Sequence, residues 1–147
     1  RITDFQCALG LSQLKKIGSF VSRRREIVNH YNEMFDQMEH LQIPFEARDC
    51  ISNFHLYVLL FDFEQMGIGR NKFMTRLLNQ GIQTQVHYIP VHTQPYYRKH
   101  FNTNWGDFPK AEAFYHKCLS IPLFPAMKDE EVAHVINTIR AMMGELT

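Results

Sequence analysis

The chain lacks any apolar run near the roughly 20 residues that span a bilayer, and its first residues lack the charged-then-apolar pattern of a secretion signal. It also lacks net charge. Sixteen Lys and Arg against fifteen Asp and Glu leave +1, so nothing advertises nucleic acid or an anionic membrane as a partner. Cysteine is scarce: Cys7, Cys50 and Cys118 are odd in number and far apart. That fits buried thiols in a reducing, cytoplasmic compartment better than a disulfide framework. No repeat and no Gly/Ser linker divides the chain, and the only tryptophan is Trp105. The chain does not open with Met, so residue 1 is expected not to be a natural start. What is present is 147 residues with 45% hydrophobic and 21% charged side chains, the composition of one globular domain with a real core.

The elements follow from period and punctuation. Thr3-Asp4-Phe5-Gln6 has the form of a capping box. It opens a long amphipathic helix with Phe5, Leu9, Leu14, Ile17 and Val21, then Val28, Tyr31, Phe35 and Met38 on one stripe, and with Gly18-Ser19 placed to bend or divide it. Arg23-Arg24-Arg25 on this helix reads as a solvated face. Ser12 and Lys15 match the SxxK spacing of some hydrolases, but they flank Leu14 of the apolar stripe, and helices produce such pairs by chance. Leu41–Pro44 adds a short strand, and Phe54–Phe61 is the most strand-like run in the chain. Asn71 is placed to cap a helix over 72–80, with Gly81 just beyond its end. Pro109–Cys118 reads as a helix with Ala111, Phe114, Tyr115 and Cys118 inward, Leu119–Pro125 as an edge strand. Asp129–Met143 is an amphipathic helix with Val132, Val135, Ile136, Ile139 and Met142 inward. These elements define an α/β (α+β) fold: a small antiparallel or mixed sheet of about three strands covered by helices, with residues 1–41 as a long linking helix and 42–147 as a small α/β domain.

The candidate site is Gly81–Arg98, GIQTQVHYIPVHTQPYYR. Ile82, Thr84, Val86 and Tyr88 alternate with Gln83, Gln85 and His87, the period of a strand. Pro90 stops regular pairing, and Pro95 is pre-set for a first helical turn. Two histidines, three tyrosines and three glutamines within this stretch exceed what core filling requires, and the ends of strands are where α/β proteins hold ligands. His87 and His92 are five apart, but no Cys pair, HExxH motif or close carboxylate accompanies them. They are therefore expected to be hydrogen-bonded groups and not a metal site.

RITDFQCALGLSQLKKIGSFVSRRREIVNHY, the stretch GIQTQVHYIPVHTQPYYR and DFPKAEAFYHKCLSIPLFPAMKDEEV together resemble the C-terminal part of the DegT-type sugar-nucleotide aminotransferases. QVHYIPVHTQPYY is most similar to the PseC type, which makes UDP-4-amino-4,6-dideoxy-N-acetyl-altrosamine for pseudaminic acid. The resemblance implies the small C-terminal domain of a fold type I enzyme, acting as a homodimer in nucleotide-sugar and surface-polysaccharide biosynthesis. In that family pyridoxal 5'-phosphate (PLP), held on a lysine of the large domain, carries an amino group from glutamate to a UDP-linked 4-keto-6-deoxy sugar. Gln85, Val86, His87 and Tyr88 match the segment that lines the sugar-nucleotide pocket. Arg1 matches a residue near the cofactor. Lys128 stands where relatives have a Thr or Ser cap. None of this chain's lysines matches the Schiff-base segment, so the resemblance implies no catalytic residue, no cofactor and no activity in these residues alone. A reading from another class is a free-standing interaction module docking through its N-terminal helix.

Overall fold

The computed structural model describes residues 1–146. Thr3 caps the first helix, α1 (Asp4–Leu14), as its capping box requires: Gln6 N–H donates to Thr3 Oγ1 at 3.3 Å and Thr3 N–H to Gln6 Oε1 at 2.9 Å. The linking helix is in fact two. It breaks at Lys15–Lys16, just before Gly18, and restarts as α2 (Ile17–Phe35). The apolar stripe changes its surroundings along the way. No residue of α1 is buried, and Phe5 is 84% exposed, whereas Ile27, Val28, Tyr31 and Phe35 of α2 lie in the core.

Three short strands make one antiparallel sheet in the order β1 (Leu41–Gln42), β2 (Tyr57–Phe61), β3 (Cys118–Ile121). Register pairs Leu41 with Phe61 and Tyr57 with Ile121. The central strand starts three residues later than its apolar run, because Phe54 has a positive φ of 43° and its N–H is taken by Ser52 Oγ at 3.1 Å. Tyr57, Leu59 and Phe61 point one way into the core, as a period of two demands. Their rings join others: Tyr31 packs on Tyr57 with centroids 5.0 Å apart, and Phe61 on Phe73 at 5.0 Å. α3 (Arg70–Asn79) is capped by Gly69, with Asn71 one residue inside, and ends at Gly81, whose φ of 78° suits only glycine well. α6 (Asp129–Gly144) buries Val132, Val135, Ile136, Ile139 and Met142, the stripe its sequence spells.

Besides the cap of α3, which is Gly69 and not Asn71, four expectations are corrected. Residues 82–88 are not a strand. Burial alternates as foreseen, with Ile82 and Thr84 inside, yet the only ladder pairing is an isolated bridge between Gln85 and Ser120. Continuing that register sets Gln83 opposite Pro122, which has no N–H to give. The arginine triplet is not a solvated face. Arg23 bonds Glu26, Asp129 and the Met127 carbonyl; Arg25 bonds Glu46 and the Ser52 carbonyl and lies over the Phe54 ring. Together they fasten α2 to segments far along the chain, while Arg24 Nε is buried without a partner. α5 (Pro109–Lys117) buries none of its residues, so Ala111, Phe114 and Tyr115 are not core; Cys118 is buried, but in β3. Lastly, only Cys118 is a buried thiol; Cys7 and Cys50 are exposed.

Candidate functional site

The segment Gln85–Tyr88 leaves the sheet edge at one point of attachment. Gln85 N–H donates to the Ser120 carbonyl at 3.1 Å, and Ser120 N–H to the Gln85 carbonyl at 2.8 Å. Val86 then packs against the core, His87 is half-buried with Nδ1 2.8 Å from Ser120 Oγ, and Tyr88 turns outward at 74% exposure. The His87 and Tyr88 rings meet edge-on at 4.7 Å. Behind them, burial pushes the Cys118 thiol up, opposed by Arg70 and by the backbone N–H groups of Cys118 and His87. The attachment thus places four consecutive side chains at the rim of the sheet, two of them outward.

Beyond Pro90 the chain makes a 3-10 turn (Val91–Thr93) and α4 (Pro95–Phe101), with Pro95 at the first helical position as predicted. His92 is buried at 8% exposure, and it does have a carboxylate: Glu112, twenty residues on, 2.8 Å from Nε2. Glu112 also accepts the N–H groups of Gly106 at 2.8 Å and Phe108 at 3.2 Å. Burial pushes the Glu112 carboxyl up, but the bonds from Gly106, His92 and Phe108 outweigh it and hold the group below the usual carboxylate range. Thr103 Oγ1 donates to the His92 carbonyl at 2.6 Å. This clasp closes the loop after α4 over the turn. A cavity of about 600 Å³ opens beside it, lined by Pro90, Val91, His92, Tyr97, Phe101, Thr103, Phe108 and Ala111.

His87 and His92 therefore belong to separate networks, one on Ser120 and one on Glu112. No group of three or more His, Cys, Asp or Glu able to hold a metal occurs among the described residues. Ser120 and Glu112 escaped the sequence reading. A signal for the first was present, a single polar residue inside the apolar run Leu119-Ser120-Ile121. For Glu112, an ordinary helical acid by pattern, there was none.

The fold and the sequence converge on one class of protein. Residues 1–140 match the DegT/DnrJ/EryC1/StrS aminotransferase family, and the chain belongs to it. It is similar to the spore coat polysaccharide biosynthesis protein SpsC of Bacillus subtilis, 43% identical over 138 residues that cover 93% of this chain and 36% of SpsC. Among solved structures it superposes on Helicobacter pylori PseC, an aminotransferase involved in the biosynthesis of pseudoaminic acid. The TM-score is 0.87 at 29% identity, over 99% of this chain and 38% of PseC. The PLP form of the putative sugar aminotransferase Spr1654 of Streptococcus pneumoniae gives 0.87 at 28%, over 100% of this chain and 37% of that one. The chain thus spans 36 to 38% of the length of these relatives. Among the described residues no helix is long and apolar enough to cross a membrane.

Proposed function

We propose that this chain is the small C-terminal domain of a homodimeric PLP-dependent sugar-nucleotide aminotransferase, with Gln85, Val86, His87 and Tyr88 lining the sugar-nucleotide pocket. The parent enzyme moves an amino group from glutamate to a UDP-linked 4-keto-6-deoxy sugar. The observation that carries the reading is the family match over residues 1–140, joined to a segment that bonds its backbone inward at Gln85 and turns Tyr88 outward. The four residues bind and orient: Gln85 and Tyr88 offer an amide and a hydroxyl, His87 an imidazole, Val86 an anchor in the core. PLP supplies an electron sink where it is bound, and a lysine must be held beside it. Lys15, Lys16, Lys72, Lys99, Lys110, Lys117 and Lys128 are all exposed here, and Lys117 is paired with Asp62 at 2.6 Å. Their exposure supports placing the cofactor lysine outside this chain.

The test separates the two half-reactions of the parent enzyme by the spectral change of its cofactor. Tyr88→Phe and His87→Ala are expected to weaken use of the sugar substrate about ten- to a hundred-fold, the cost of an unpaired partner in a closed complex. The glutamate half-reaction should change little. Equal loss of both half-reactions would place these residues in the cofactor site or the fold and sink the pocket assignment. A second reading, an interaction module docking through α1, is favoured by the exposed Phe5, Leu9 and Leu14. Wild-type rates from both variants would also sink the pocket assignment, and a protein whose full length is this chain would favour the module.

A further inference from the structure

Resting on the reading of Gln85–Tyr88 as the pocket wall, the hydrogen bonds of one buried residue settle what His87 presents to a ligand. Ser120 is 5% exposed in the middle of β3. Its N–H and carbonyl are spent on Gln85, and its hydroxyl lies 2.8 Å from His87 Nδ1 with no other hydrogen-bond partner. A serine hydroxyl carries one proton to give, and a neutral imidazole carries its proton on either Nδ1 or Nε2. Were the proton on Nδ1, it would point at Ser120 Oγ, and the serine's own O–H would be a buried donor without an acceptor. Buried donors left in that state are rare and costly. With Ser120 donating to Nδ1, both atoms are satisfied, and the imidazole proton must sit on Nε2. That nitrogen has no protein partner, and it is not sealed off: the one buried, unpartnered side-chain N or O among the described residues is Arg24 Nε.

We propose that Ser120 is a positioning residue that holds His87 in its Nε2–H form, so that the site offers a hydrogen-bond donor and recognises an acceptor oxygen of its ligand. The oxygen is a carbonyl or a phosphoryl oxygen; an N–H or ammonium group has nothing to bond there. With Nδ1 engaged and Nε2 protonated, His87 orients the ligand and is not placed to take a proton from it.

The tautomer is read directly from long-range proton–nitrogen correlation spectra of the ¹⁵N-labelled protein at mildly alkaline pH. His87 is expected to show a protonated Nε2 and an unprotonated, hydrogen-bonded Nδ1. Ser120→Ala should release it to a mixture of both forms, and Ser120→Thr, which keeps the hydroxyl, should restore Nε2–H. Because Gln85 is held through the Ser120 backbone, the amide spectrum of Ser120→Ala should otherwise stay in place. If the alanine variant fails to fold, the wild-type and Ser120→Thr spectra still decide. A native Nδ1–H form, or Nε2–H kept unchanged in a folded Ser120→Ala, overturns the proposal. Ligand recognition is tested in the full-length parent enzyme with UDP and with UDP-N-acetylglucosamine. Uridine serves as the control that carries the base carbonyls without phosphate: a downfield shift of the His87 Nε2 proton with UDP but not uridine assigns a phosphoryl oxygen, and a shift with uridine, or only with the sugar nucleotide, assigns a carbonyl. Ser120→Ala should weaken that binding by roughly twofold if the two forms become equally populated. No shift with either probe refutes the acceptor-oxygen claim and the pocket reading together, while the ligand-free spectra judge the tautomer on their own.

Discussion

Removing one oxygen from Tyr57 or Tyr31 measures how firmly α2 is fixed to the sheet that carries Ser120. Both rings are fully buried and 5.0 Å apart, but their hydroxyls act on different acceptors. Tyr57 donates to Asn32 Oδ1 at 2.7 Å, and Tyr31 donates to the Pro122 carbonyl at 2.9 Å, just past the end of β3. Phenylalanine at either position keeps the ring and opens no cavity, so the loss is that of the hydrogen bond plus the stranded acceptor. For either variant that is about 1 kcal/mol, since both acceptor residues, Asn32 and Pro122, are half-buried. The double variant should depart from the sum by about 0.5 kcal/mol or more, because the two rings are in contact. Tyr57→Ala should cost about 3–5 kcal/mol, the range for emptying a buried aromatic site. Urea unfolding at constant m reads these values. The same tyrosines give a pH signature. Burial pushes both phenols well above the ordinary value of 10.0. A raised pKa here means the folded state resists losing the proton, so this stability is fully present below about pH 10 and is lost as pH rises beyond it. Phenylalanine at both positions should flatten that alkaline loss. A Tyr57→Phe protein as stable as wild type, with the alkaline loss unchanged, would refute the reasoning.

Three further outcomes are expected. The exposed stripe of α1 should drive self-association, so sedimentation should show concentration-dependent growth that Leu9→Lys and Leu14→Lys suppress; a wild-type profile that stays monomeric at high concentration would count against it. Alkylation under native conditions should label two thiols, Cys7 and Cys50, leaving Cys118 until the protein is unfolded; mass spectrometry of the labelled peptides checks this, and early modification of Cys118 contradicts its burial. PLP added to this chain should form no stoichiometric, borohydride-reducible adduct at one lysine, since all seven are exposed; such an adduct would revive a complete active site in these residues.

What could be read in advance depended on how far away each partner lies. α6 was legible because its burial is a matter of period alone, and the capping box at Thr3 and the glycine at the end of α3 because their chemistry closes within a few residues. Residues 82–88 show the limit of periodicity. An extended segment can alternate its side chains without pairing its backbone, and whether it pairs depends on the strand opposite, here one that ends at Pro122. The arginine triplet failed for the same reason at longer range. Arg23 meets the Met127 carbonyl 104 residues away, and Arg25 meets Glu46 at a separation of 21; a local pattern holds no trace of either. The histidines were read as hydrogen-bonded groups, and both are, but Ser120 and Glu112 became visible only once the fold had brought them near.

The contrast between the two ends of the candidate stretch has a physical consequence for the site. Up to Val86 the chain is held by apolar burial, which is spread over many atoms and tolerates small changes. From His87 to Lys117 that support thins to Pro90 and His92: neither α4 nor α5 buries a residue. Order there rests on a few polar fastenings. Glu112 gathers His92, Gly106 and Phe108; Arg70 bonds the Tyr115 carbonyl and lies over its ring. Such fastenings are directional and fail individually, because each buried member depends on its partner for solvation. They also leave apolar side chains such as Phe101 and Phe108 facing outward around the cavity, where a core would have drawn them in. A wall built this way keeps a defined shape while presenting groups to whatever covers it, which is the property a ligand-lining segment needs and a core strand cannot have. On this argument Glu112, though it never faces the pocket proposed for Gln85–Tyr88, governs how steadily the chain leaves that pocket, and Ser120 governs how it enters.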